Sequence, residues 1–232
     1  MKKVLSPETR KKMSAAHQGN SYSKGKNKRI ITPEVAAAVL EFEKTLPAGY
    51  RAIPLDNKGY MTVVDAADYD KLMLQTWSVQ MRGNNGPYAI GYVWTAGKTK
   101  SYQMARVILG LEPGDDRQAD HAQHFPNSTL YNCRTWNGEP HLRIVTPAQN
   151  NQNASKKKSK STSQYKGVSA WKVNGHQYWR SQIQSDGKPI YLGSFPFNDD
   201  GEELAALQYN YFAKLNFGEH ALINAIDFKE TN

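Results

Sequence analysis

The sequence predicts an α+β chain of two folded parts, and three observations carry that prediction. Residues 50–118 alternate short β-rich runs with turn clusters and two brief helical stretches. Residues 149–163, QNNQNASKKKSKSTS, form a polar, basic tract that marks the clearest domain boundary. Residues 164–226 then read as three strands followed by one helix. A length of 232 residues suits one large domain or two small ones with appendages, and 39% hydrophobic residues make any core modest.

Charge narrows the class of partner. The chain carries 30 Lys and Arg against 21 Asp and Glu, a net +9. Residues 1–30 hold nine basic residues against Glu8 alone, and residues 154–190 hold eight against Asp186 alone. Residues 195–232 are acidic, with seven carboxylates against Lys214 and Lys229. Two basic blocks flanking a near-neutral middle fit a grip on a polyanion. No apolar run is long enough to span a membrane, and the charged N-terminus lacks a signal-peptide core, so a cytoplasmic protein is expected. The single cysteine, Cys133, excludes an intrachain disulfide and any multi-cysteine zinc cluster. It reads as a small buried hydrophobe.

In chain order, Ser6-Pro7-Glu8 gives a start signal for a short basic helix ending near Gly19. Arg10, Lys11 and Lys12 on it are candidate phosphate contacts, with a disordered basic tail as the alternative. Thr32-Pro33-Glu34 starts a second helix through about Lys44, and Pro47 with Gly49 stops it. Residues 1–46 thus form a basic N-terminal module with a helix. Residues 50–148 form the first folded domain. Strands are expected at Arg51-Ala52-Ile53-Pro54-Leu55 and Tyr60-Met61-Thr62-Val63-Val64, and a helix from Asp65 to Leu74. A meander is expected at 77–80, 88–94 and 101–104, and a short helix at 105–109. Trp77, Tyr88, Tyr92 and Trp94 read as core and sheet residues.

Residues 120–146, DHAQHFPNSTLYNCRTWNGEPHLRIVT, carry the chemistry. Hydrolysing a phosphodiester needs an activated water, a cation on the scissile phosphate and support for the leaving 3′-oxygen. Asp120 is a hard oxygen ligand suited to Mg²⁺. His121 adjoins it on an expected strand, where neighbouring side chains diverge and an imidazole can face water. Asn132 can orient that imidazole, and His141 stands where a second metal ligand is needed. Asn127 is a rival for the middle Asn, and His124 in the same loop is a further candidate contact. Arg106 and Arg143 are candidate phosphate contacts, with ion pairs as the alternative.

The stretch resembles the His-Asn-His (HNH, ββα-metal) nuclease family in its phage and intron homing-endonuclease branch. The resemblance rests on Asp120-His121, on Leu130-Tyr131-Asn132-Cys133-Arg134, and on His141-Leu142-Arg143-Ile144-Val145-Thr146 followed by Asn150 and Asn153. It implies a ββα-metal domain with a small β-rich extension, Asp120 and His141 as metal ligands, His121 as general base and Asn132 as the structural Asn. Mg²⁺ is the implied cofactor, with Mn²⁺ as a possible substitute. Two departures stand out: residues 135–140 stretch the Asn132–His141 gap to nine positions, and His141 replaces an Asn common in that branch. The N-terminal Ser6-x-Glu8-x-Arg10 pattern resembles a small nuclease-associated DNA-binding module.

The C-terminal part resembles the AP2/ERF DNA-binding fold, a three-stranded sheet with one packed helix. The resemblance rests on Tyr165-Lys166-Gly167-Val168, Tyr178-Trp179-Arg180-Ser181-Gln182-Ile183 and Tyr191-Leu192-Gly193-Ser194-Phe195. It implies a sheet face laid on DNA. Alternation would pack Trp179, Ile183, Ile190 and Leu192 on the helix and turn Arg180, Gln182, Gln184 and Tyr191 outward. Lys166, Ser169, Trp171 and Lys172 are expected to join that face, and Arg and Gln are sound readers of base edges. The helix, about Asp199 to Asn216, is expected to pack through Leu204, Leu207, Tyr211 and Leu215. Together these readings imply a homing-type, site-specific endonuclease acting on double-stranded DNA, in a bacterial host's cytoplasm if phage-encoded. A monomer on DNA, with a dimer left open, would nick one strand. The rival readings are a DNA-binding regulator with a decayed nuclease domain and a structure-selective nuclease.

Overall fold

A computed structural model describes residues 31–55, 59–82, 86–95, 98–156, 161–185 and 187–226. The N-terminal helix with Arg10, Lys11 and Lys12 lies outside the described residues. So do most of the turn residues expected at 56–59, 83–86 and 96–98. The chain is α+β and divides into two compact units, one of residues 1–115 and 123–143, the other of residues 116–122 and 144–232. The first residues of the expected linker at 149–163 are helical and belong to the C-terminal unit. Among the described residues no helix is long and apolar enough to cross a membrane.

In the first unit, Thr32 caps helix α1 (Pro33–Glu43) by accepting from the Val35 amide, and Pro33 occupies the first turn. Strand β1 (Tyr50–Pro54) pairs antiparallel with β2 (Met61–Asp65). Helix α2 (Ala66–Leu72) follows. A meander of β3 (Ser78–Met81), β4 (Pro87–Thr95) and β5 (Lys98–Gln103) leads into the short helix α3 (Met104–Ile108). Ile53, Val63, Val64, Leu72, Trp77, Ile90 and Met104 are almost wholly buried. Trp77 resolves its one polar atom by donating from Nε1 to Leu72 O at 2.8 Å. Tyr92, read as a core or sheet residue, lies in β4 and is exposed.

The strand β6 (Gln118–His121) enters the second unit, and the chain then returns to the first. There a 3₁₀ turn (Ser128–Leu130) leads to β7 (Tyr131–Asn132), which pairs parallel with β2. The 135–140 insertion is a tight hairpin of β8 (Thr135–Trp136) and β9 (Glu139–Pro140). Its turn is Asn137-Gly138, both at positive φ (52° and 81°), as a two-residue hairpin requires. The ladder continues past the hairpin through His141 N to Arg134 O (2.9 Å) and Leu142 N to Cys133 O (3.2 Å). Nine positions in sequence thus become neighbouring rungs.

In the second unit, β10 (Leu142–Val145), the strand that carries the chain across, pairs with β6. It leads to helix α4 (Pro147–Asn153), started by a full capping box between Thr146 and Gln149. Strands β11 (Val168–Val173), β12 (His176–Ser185) and β13 (Lys188–Pro196) form an antiparallel sheet, and helix α5 (Asp199–Phe217) packs on it. The face of α5 that packs is not the expected one. Ala205, Ala206, Tyr209, Ala213 and Phe217 are buried, while Leu204, Tyr211 and Leu215 are exposed. Close approach explains this. A side chain on Gly201 would collide with Pro196 O, and the helix meets the sheet through Ala205, Ala206 and Ala213 together with Tyr209 and Phe217.

Candidate functional site

Asp120 and His121 end β6, and both are buried. A buried carboxylate needs a compensating donor. Asn153 supplies it from the last turn of α4: its Nδ2 lies 3.1 Å from Asp120 Oδ1, 3.0 Å from Oδ2 and 3.3 Å from His121 O. One turn earlier, Asn150 Nδ2 donates to Gln118 Oε1 at 2.5 Å. Positions 150 and 153 share one face of a helix, and positions 118 and 120 share one face of a strand, so the two elements mesh rung by rung. His121, next along the strand, projects from the opposite face to Asp120.

Asn132 and His141 stand in the first unit, and their bonds are those of scaffold. Asn132 is 2% exposed, and its Nδ2 donates to Thr62 Oγ1 at 2.9 Å and to Thr129 O at 3.5 Å. These bonds link β7 to β2. Thr62 Oγ1 passes the chain of bonds on, donating to Leu130 O at 2.6 Å. His141 is wholly buried, with Nε2 3.1 Å from Ser128 O and its ring centroid 5.7 Å from that of Phe125. A carbonyl only accepts, so Nε2 carries the proton there. That nitrogen holds the 3₁₀ turn, so the ligand role expected of His141 would fall to Nδ1.

The neighbouring candidates separate in the same way. Asn127 takes a left-handed conformation (φ 59°), which explains an Asn at the start of the turn without any role in the site. His124 is exposed. Gln123, which sequence reasoning passed over, donates from Nε2 towards Trp136 O, Glu139 O and Pro140 O and so ties the loop to the hairpin. Arg106, expected at phosphate, uses Nη2 to close the turn after α3 on Glu112 O (3.0 Å) and Asp115 O (3.2 Å). Arg143 is half-buried. Arg134 pairs with Asp65 and Asp68 and reaches Ile108 O.

Asp120 and Asn153 could hold a cation between them. A carboxylate and an amide oxygen are hard donors, and a half-turn of the Asn153 amide exchanges its nitrogen for its oxygen. Among the described residues no three His, Cys, Asp or Glu side chains group as a metal site would. The remaining coordination would fall to water and phosphate, as Mg²⁺ prefers.

The second candidate surface is the outer face of the C-terminal sheet. Register puts Ser169 opposite Arg180, Arg180 opposite Ser194, and Gln182 opposite Tyr191. Partners share a face, so Ser169, Trp171, Arg180, Gln182 and Tyr191 lie together, with Gln184 at its end. Trp171 and Tyr191 are exposed, and the Arg180 guanidinium carbon sits 4.6 Å from the Trp171 ring centroid. Trp179, Ile183 and Leu192 pack towards α5 as expected, whereas Ile190 is exposed at the sheet's end. Two lysines leave the expected set. Lys172 has the parity of Val168 and Ala170 and so belongs to the other face. Lys166 does not reach the face. Its Nζ donates to Gln152 O (2.5 Å) and Ala154 O (2.7 Å), and burial lowers its pKa to about 8.

No family profile, curated protein or solved structure matches this chain.

Proposed function

We propose that the chain is a metal-dependent, site-specific DNA endonuclease of the homing type. The observation that carries the reading is the buried Asp120 carboxylate bracketed by the Asn153 amide, with His121 next on the same strand. Mg²⁺ or Mn²⁺ would be held by Asp120 and Asn153 and, when bound, would stabilise charge on the scissile phosphate and the leaving 3′-oxygen. His121 takes the proton of the attacking water. Asn132 Nδ2 and His141 Nε2 hold β7 and the 3₁₀ turn in place. Arg143 and the basic N-terminal residues add phosphate contacts.

The aromatic and Arg/Gln composition of the sheet face supports binding to double-stranded DNA. Phosphate contacts fix position there, and Arg180, Gln182 and Gln184 read base edges. One centre per chain nicks one strand, and a double-strand break needs a second centre. The site of action is the compartment that holds the DNA, here the cytoplasm.

The test is incubation with a supercoiled plasmid carrying the DNA that encodes the protein and its flanks, with Mg²⁺ or with EDTA. Nicking that needs Mg²⁺ and is lost in His121→Ala is expected. Binding without Mg²⁺-dependent nicking would leave a non-catalytic DNA-binding regulator as the better reading.

A further inference from the structure

Two lysines reach past each other between the sheet and α4. Lys166, just ahead of β11, donates to Gln152 O and Ala154 O, the carbonyls on either side of Asn153. Lys156, just beyond α4, reaches back to donate to Tyr165 O and to Val168 O (2.8 Å), the carbonyls that flank Lys166 and Gly167. Leu222 N adds a second donor to Gln152 O at 3.4 Å. The free carbonyls at the end of a helix need such donors, and the dipole there favours cations.

The base of Lys166 is itself fixed. Its amide donates to Asn224 Oδ1 (2.6 Å), and its carbonyl accepts from Asn224 Nδ2 (3.0 Å). Asn224 is tied in turn to Asn210 on α5. Gly167 has φ 80°, and any side chain there would strike the Tyr209 ring. Gln182, a residue of the outer sheet face, donates its amide to Gly167 O at 2.9 Å. An unbroken line of bonds therefore runs from Gln182 through Gly167 and Lys166 to the last turn of α4, and from Asn153 to Asp120.

We infer that Lys166 and Lys156 form a reciprocal clamp that makes the C-terminal sheet and the Asp120–Asn153 pair one rigid piece, with Lys166 a positioning residue for the cleavage centre. The inference rests on the nuclease reading for its consequence, a cut at a fixed distance from the bases that the sheet reads. The clamp itself is a property of the fold.

The experiment compares wild type with Lys166→Met, Lys156→Met and Lys166→Arg in four measurements. These are thermal melting, hydrogen exchange at residues 150–154, Mn²⁺ affinity without DNA, and nicking of the plasmid with mapping of the cut. In Lys166→Met we expect faster exchange confined to 150–154 and Mn²⁺ binding weakened about 10-fold, the range for outer partners of a metal ligand. Cuts should scatter around the wild-type position while plasmid binding changes less than about 3-fold, well below the effect of losing a base contact. Lys166→Arg, which keeps the donors, should recover most of the affinity and the single cut position. Unchanged exchange and Mn²⁺ affinity in both methionine variants would overturn the clamp. Equal losses of melting temperature, plasmid binding and cutting would reduce Lys166 to a general structural residue and also overturn its positioning role. If wild type does not nick at all, the nuclease reading fails, while exchange and Mn²⁺ affinity still decide the clamp.

Discussion

Asp120 with Asn153 and Asn132 with His141 come from one motif, yet they are held in opposite ways. Asp120 keeps a buried carboxylate bonded to the Asn153 side-chain amide, which can turn to present oxygen instead. Asn132 Nδ2 and His141 Nε2 bond a hydroxyl and backbone carbonyls, and these bonds join β7 to β2 and fix a 3₁₀ turn. The first arrangement can exchange its partner for a cation. The second ties elements of the fold together through one nitrogen of each side chain. Shared motif membership does not imply shared chemistry, and what surrounds each side chain decides which role it takes.

The contrast is open to direct attack. The largest effect should come from Asp120→Ala or His121→Ala. Each is expected to lower Mg²⁺-dependent nicking by about 10²–10⁴-fold, the usual weight of a general base or its equal, with folding retained by circular dichroism. Asn153→Ala should weaken Mn²⁺ binding about 10–100-fold in a titration. Either variant nicking as well as wild type would dissolve the distinction between the two pairs.

Asn132→Ala and His141→Ala should instead act through stability. Each leaves a buried partner unsatisfied, which costs about 1–3 kcal/mol. Denaturant midpoints should fall, and nicking below the melting transition should survive better than in Asp120→Ala. If His141→Ala abolishes Mn²⁺ binding while the melting temperature holds, His141 is a ligand after all.

Trp171→Ala and Arg180→Ala test the sheet face. Each should weaken plasmid binding by about 1–3 kcal/mol, as lost stacking or base contact does, and leave the melting curve in place. The smallest effect concerns Cys133, the neighbour of Asn132. It is wholly buried, and burial pushes its thiol pKa up to about 12. A thiol-disulfide reagent at pH 8 should therefore leave the native protein unmodified and label it only on unfolding. Rapid native labelling would mean that the β7 region opens and is no scaffold.

Much of this was legible in the residues. Strands at 50–54 and 61–65, the meander, the capped helix at Thr32-Pro33, and the three-strands-and-helix order of 168–217 follow from alternation, turn residues and caps. These are local signals, and local physics sets them. Asp120 and His121 stood out because the pair sits at the end of a strand. Asn153 was legible as part of the motif but not as the partner of Asp120, because nothing local shows which strand a helix face will meet.

The sequence by itself determined that the chain is α+β, basic in two blocks, and built with an Asp-His strand end and a C-terminal sheet. Only the tertiary structure decided that Lys166 turns inward, that Lys172 lies on the far face, and that His141 binds a carbonyl. It also chose the packing stripe of α5. Hydrophobicity favoured the leucines, but a helix that must approach the sheet closely packs through Ala205, Ala206 and Ala213 and leaves Leu204 and Leu215 outside. Apolar content is read from the sequence, whereas the distance between two packed surfaces, which decides whether alanine or leucine fits, exists only once both surfaces are in place.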